Sequence, residues 1–113
     1  MIASASRSPL SPVIRFGQVW ESPDETIGSM RYLVVSSDAY NTAFGDRRVI
    51  AVEVDSHAVY HGAYREPITD GGTAHLDRLI WVTRRQLVEL VAELHPDRYA
   101  SVTGIIRELI GNS

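Results

Sequence analysis

Three short apolar runs constrain this chain more than anything else in it: RYLVV at 31–35, VIAVEV at 49–54 and LIWV at 79–82. Each is rich in β-branched residues and too short for a helix that spans a domain, so each reads as a strand. Polar turn residues bound them: Gly28-Ser29 before the first, Ser36-Ser37-Asp38 after it, Asp55-Ser56 after the second. The first run is continuous, as in a strand buried on both faces. The second alternates, with Ile50, Val52 and Val54 pointing one way and Ala51, Glu53 and Asp55 the other. None approaches the length of about 18 apolar residues that a membrane helix needs.

Around these runs the chain is organised as one domain. Residues 1–12 are rich in Ser, Ala and Pro, lack periodicity, and read as a disordered tail without the basic opening and apolar core of a secretory signal. Residues 13–113 form the domain. IRFGQVWES predicts a first strand with Ile14, Phe16, Gln18 and Trp20 on one face, and SPDETIGS a polar loop. DAYNTAFGDRR is a longer connection, HAVYHGAY a strand with Val59 inside, EPITDGG a turn region, and TAHLDRLIWVT one or two short strands. The pattern then changes. Thr83 predicts an N-cap for RRQLVELVAEL, whose Leu87, Leu90, Val91 and Leu94 fall at helical spacing. HPD breaks it, and Asp97 caps a second helix striped by Val102, Ile105, Ile106 and Leu109 and closed at Gly111. Strands followed by two C-terminal helices predict an α+β, mainly β fold: a small curled antiparallel sheet with helices packed on it.

Composition narrows the chemistry. With no cysteine, disulfides, thiolate zinc sites and a cysteine nucleophile are excluded. A formal charge of −3 argues against non-specific coating of nucleic acid; that all 11 basic residues are arginine reads first as codon bias in a GC-rich genome and, more sharply, as a choice of the side chain suited to bidentate phosphate contacts. His57 and His61 stand four apart without companion ligands, so no metal site is expected.

Four segments, in order, resemble the MazF/PemK (Kid) toxins of bacterial type II toxin–antitoxin systems. FGQVW at 16–20 is similar to the opening strand of that family, and RYLVVSSDAYN at 31–41 to its Arg-Pro-x-Leu/Val-Val-Val-Ser-Asn-Asp-x-x-Asn signature. VIAVEVDS at 49–56 is similar to Val-Ile-Val-Val-Pro-Ile-Thr-Ser, and DRLIWVTRRQL at 77–87 lies over Asp-Gln-Ile-Arg-Thr-Ile-Asp-Lys-x-Arg-Leu without a gap. The resemblance implies an SH3-like barrel assembled as a homodimer in the cytoplasm. It also implies metal-independent, sequence-selective cleavage of single-stranded RNA to 2′,3′-cyclic phosphate and 5′-hydroxyl ends, without a cofactor, and a cognate antitoxin that occludes the groove. The gyrase poison CcdB shares this fold and is no nuclease, so a non-catalytic interaction protein is the alternative. The end of this chain, LIGNS, lacks the Trp-Gly-Ile associated with gyrase poisoning.

Metal-free RNA cleavage needs a group to accept the 2′-hydroxyl proton, one to protonate the leaving 5′-oxygen, and a cation for the crowded phosphorane. Arg31 matches the catalytic arginine of the family; the plainer role is a pair with Asp24, Glu25 or Asp38. The acid position, usually Thr, is here Asp55, followed by the hydroxyl of Ser56. Asp55 is a base or the partner of the arginine, Ser56 a phosphate contact, and the pair is equally a strand-ending turn. Asp77 matches the Asp of the Asp-Gln motif. Two residues earlier, His75 replaces an arginine of the Kid branch; the two share a strand face, where His75 serves as acid or base and Asp77 holds its tautomer, or both are simply solvated. Ser37, Asn41 and Arg78 occupy or flank positions that touch RNA in the family; Ser37 stands for its usual Asn, Arg78 for its Gln, and Tyr32 for its Pro. Trp20, Tyr32, Tyr60, Tyr64 and Trp81 are candidates for base stacking, for the core, or for a dimer interface.

Overall fold

The computed structural model of the chain describes residues 13–24, 28–57, 59 and 61–111. The tail expected over 1–12 lies outside these residues, as does Tyr60. Gly17 adopts a φ of +90°, and a Cβ there would sit 3.1 Å from the Tyr99 ring. The chain therefore turns at Gly17, and β1 begins only at Gln18 (Gln18–Asp24). Ile14 and Phe16 consequently do not share a strand face with Trp20, as the sequence predicted. Ile14 does pack beside Trp20, whereas Phe16 meets the edge of Tyr99 in the opposite cluster.

β2 (Gly28–Val34) returns against β1 with Glu21 opposite Arg31 and Asp24 opposite Gly28. The polar loop expected over SPDETIGS is thus mostly strand. After β2, Ser37 accepts a hydrogen bond from the Tyr40 amide and caps α1 (Asp38–Phe44), a short helix where the sequence predicted only a connection. β3 (Arg48–Asp55) pairs with β2, and β4 (Arg65–Ile68) falls on residues expected to be a turn. β5 (Gly72–Thr83) is one long strand, followed by a single 3-10 turn at Arg84–Gln86.

Residues 89–93 overturn the expected first C-terminal helix: they form β6 (Glu89–Glu93), paired with β1 so that Leu90 faces Trp20 and Ala92 faces Val19. Only α2 (Tyr99–Leu109) is a C-terminal helix. Leu87 and Leu94 are buried either way, so their spacing fits helix and strand alike; the open edge of β1 decides the outcome by supplying backbone partners. Asp97 does not cap α2. It lies in a 3-10 turn (Pro96–Arg98) where its amide donates to His95 Nδ1, while Gly111 closes the chain end at φ +85°, as expected.

Among the described residues the result is a six-stranded, curled antiparallel half-barrel in the order β4-β5-β3-β2-β1-β6, with two α-helices: the α+β, mainly β class. Successive residues of β1–β3 alternate between two cores. Val19, Leu33, Val52, Val54, Ala74 and Leu76 meet Val102, Ile105 and Ile106 of α2; Trp20, Tyr32, Val34, Val49, Ala51 and Val82 close over Ile14 and Leu87. Val59 stands 69% exposed rather than inside a strand.

Along β5 one break in the alternation matters. Val52 pairs with Leu79, but Val54 pairs with Ala74, so Glu53 of β3 faces the four residues His75, Leu76, Asp77 and Arg78. This bulge reverses the faces of β5: Ala74 and Leu76 point into the α2 core, whereas Ile80 and Val82 point into the other.

Candidate active site

The bulge sets the geometry of the site. It lies at Glu53, two residues before β3 ends, and a cleft of about 220 Å³ stands beside it. Ser29 and Met30 of β2, Glu53, Val54 and Asp55 of β3, Ser56 and His57 beyond it, and His75 and Arg78 of β5 line it. Close backbone approach fixes the strand end beside it. Gly72 has a φ of +104°, and any Cβ there would overlap the Asp55 carbonyl, so the start of β5 can lie against the strand end only as glycine. Asp55 Oδ1 accepts from the His57 amide at 2.8 Å, which holds the turn after β3 in place.

His75 is only 6% exposed. Burial pushes its imidazole below the usual histidine value, with Arg78 and Arg65 adding to that and Asp55 and Asp77 pulling the other way. It is therefore neutral at neutral pH. Asp77 lies outside the cleft on the exposed edge, where Arg65 of β4 holds it at 2.8 Å. Partial desolvation raises its carboxyl, but its own backbone amide and the Arg65 guanidinium outweigh this and leave it below the ordinary carboxylate range. Arg78 reaches Glu53 at 3.6 Å with its side chain 55% exposed, a weak pair that a phosphate oxygen can displace.

Arg31 does not line this cleft. It leaves β2 on the side of Leu33, where its Nε donates to Glu21 Oε1 at 2.8 Å and its Nη1 to the Gly71 carbonyl at 3.0 Å. Its partner is thus Glu21, across the hairpin, rather than Asp38; Glu25 lies outside the described residues. Asp38 is engaged instead by the Phe16 amide. Ser37 and Asn41 also lie away from the cleft: Ser37 caps α1, and Asn41 is buried, donating to the Ser36 carbonyl at 3.0 Å. Of the sequence-predicted residues, then, Asp55, Ser56, His75 and Arg78 come together, with Asp77 beside them.

Sequence reasoning missed Glu53, Arg65 and the placement of His57. The signal for Arg65 was absent because its strand carries a proline and reads as a turn; for the other two it lies in a bulge that no local pattern announces. Among the aromatics, Trp20 and Tyr32 are core, whereas Tyr64 is 42% and Trp81 71% exposed. No group of three or more metal-ligating side chains converges among the described residues, and no helix there is long and apolar enough to cross a membrane.

The curled half-barrel has the fold of MazF structures. The chain resembles MazF of Deinococcus radiodurans as crystallised with MazE: in one form at 27% identity over 88% of this chain and 95% of that chain, with a TM-score of 0.66. In another form the likeness is 25% identity over 90% and 100%, with a TM-score of 0.68. The same fold is found in a mycobacterial endoribonuclease in complex with its cognate antitoxin, at 19% identity over 88% of this chain and 97% of that one, TM-score 0.71. No protein-family model and no curated protein matches the chain.

Proposed function

We propose that this chain is the toxin of a type II toxin–antitoxin system, with residues 13–113 acting as one domain. In this reading it is a metal-independent endoribonuclease that cuts single-stranded RNA to 2′,3′-cyclic phosphate and 5′-hydroxyl ends. It acts in the cytoplasm as a homodimer and is silenced by a cognate antitoxin. The likeness to MazF structures, some of them with an antitoxin bound, supports the toxin role. The observation that carries the nuclease reading is the bulge cleft, in which a neutral imidazole (His75), a hydroxyl (Ser56), a carboxylate (Asp55) and a displaceable guanidinium (Arg78) line one opening.

The roles follow from the chemistry. His75, neutral at neutral pH, accepts the 2′-hydroxyl proton; Asp77 and Arg65 fix the edge on which it stands. Arg78 draws a non-bridging phosphate oxygen away from Glu53, and Ser56 donates to another. Arg31 joins the phosphate once it leaves Glu21 and the Gly71 carbonyl. Ser37 starts α1 beside the surface along which the RNA would run, and the buried Asn41 holds the Ser36 carbonyl beneath it.

The occupied state of Arg31 favours a second reading, a non-catalytic interaction protein of the CcdB type, in which that arginine is purely a brace. Incubating purified, antitoxin-free protein with a long single-stranded RNA in EDTA separates the two. Discrete cuts with cyclic-phosphate ends, lost in His75→Ala, are expected. Intact RNA across several substrates would leave the interaction reading in its place.

A further inference from the structure

We infer that His57 is the general acid of the cleft, completing a two-imidazole apparatus with His75; this rests on the nuclease reading above. The two histidines come from different segments, yet they line the same opening of about 220 Å³. One is 6% exposed at the bottom of the bulge, and the other is exposed at its rim. The His57 backbone is anchored by the 2.8 Å bond from its amide to Asp55 Oδ1, and His57 lines the cleft from that turn.

Chemistry gives this pairing its force. Cleavage moves two protons at once, and imidazole is the side chain whose ordinary state serves both donation and acceptance near neutrality. An ordinary carboxylate accepts protons at that pH but does not deliver them, and a hydroxyl such as that of Ser56 is a far weaker acid than an imidazolium. In the step, the 2′-oxygen loses its proton to His75 and forms a bond to phosphorus. The bond from phosphorus to the 5′-oxygen breaks, and the protonated His57 gives its proton to that oxygen. Arg78 and the Ser56 hydroxyl face the non-bridging oxygens. The products are a 2′,3′-cyclic phosphate, a 5′-hydroxyl, an imidazolium at His75 and a neutral imidazole at His57, and exchange with water restores both rings.

Two RNA substrates of one sequence test it, one with the natural 5′-oxygen at the cut site and one with a bridging 5′-sulfur, whose thiolate leaves without a proton. His57→Gln is expected to cut the oxygen substrate about 10²-fold or more slowly than wild type. On the sulfur substrate it should come within about tenfold of wild type. His75→Gln should be slow on both. Recovery on sulfur also proves that the His57 variant is folded. Wild-type speed for His57→Gln on the oxygen substrate, or equal loss on both, overturns the assignment while the nuclease reading stands. Failure of the wild-type protein to cut either RNA overturns both.

Discussion

Arg31 and His75 are the residues at which protonation and pairing can be measured directly. The guanidinium of Arg31 holds Glu21 at 2.8 Å with both side chains 21% exposed, and it ties the hairpin to the turn at Asp70 and Gly71. A charged hydrogen bond in such a place is worth about 1.5–3 kcal/mol, reduced here by partial solvent screening. Glu21→Gln keeps the shape but removes the charge, so a modest drop in urea stability is expected together with tighter binding of single-stranded RNA. Lower stability with unchanged RNA affinity would show Arg31 to be a brace alone. His75 gives a second, pH-linked expectation. Its folded-state value lies below the ordinary histidine value of 6.5, so between the two the unfolded chain carries a proton that the folded chain refuses. The stability this represents is present above 6.5 and is lost as the pH falls through the folded-state value. Urea unfolding at about pH 7.5 and pH 5 should therefore show a larger loss for wild type than for His75→Gln. Equal losses in the two proteins would mean that burial of His75 costs the imidazolium nothing.

At the scale of elements, β5 and its neighbours do the positioning. Three features meet there: the bulge opposite Glu53, the close approach of Gly72 to the Asp55 carbonyl, and the short pairing of β4 that brings Arg65 beside His75. Gly72→Ala combines a positive φ with an overlap against backbone, so a loss of roughly 1–3 kcal/mol or more is expected, with the cleft distorted before the rest of the sheet. A denaturation midpoint equal to that of wild type would show that the strand end can shift at no cost. The central strands were legible because their apolar runs carry the pattern of burial themselves: Leu33, Val52 and Ala51 sit inside as their alternation requires. β6 was not, since Leu87, Leu90, Val91 and Leu94 suit a helix as well as a strand, and only the unpaired edge of β1 breaks the tie. α1 carried a readable signal in its Ser37 cap and Asp38, masked by the polar length of the connection. The chemistry followed the same division. Asp55 and His75 were found from residue type and resemblance, whereas their meeting depends on a register shift of three residues between β3 and β5, from Val52–Leu79 to Val54–Ala74, which leaves no trace in local sequence.

For the whole molecule, the distribution of apolar surface is uneven in a way that bears on assembly. α2 covers one face of the sheet through Val102, Ile105 and Ile106, and Ile110 follows at its end. Ile50, Leu79, Ile80, Trp81 and Ile110 border a shallow apolar depression there, with Trp81 71% and Ile110 66% exposed. The Arg48 guanidinium lies over Trp81 at 5.1 Å and toward Phe44 at 5.9 Å, within reach of both ring faces. A contiguous apolar area of this kind on a small domain marks an interaction site. Within the proposed homodimer it is the surface that a second copy would cover. Trp20, by contrast, is 4% exposed and belongs to the core, so the two tryptophans make a matched pair of probes. Trp81→Glu is expected to halve the mass measured by light scattering while the far-ultraviolet circular dichroism of the sheet stays as in wild type, because the ring supports no core contact. Trp20→Glu should instead unfold the protein. A Trp81→Glu protein that keeps the wild-type mass, with wild type itself a dimer, would move the interface to another face of the half-barrel.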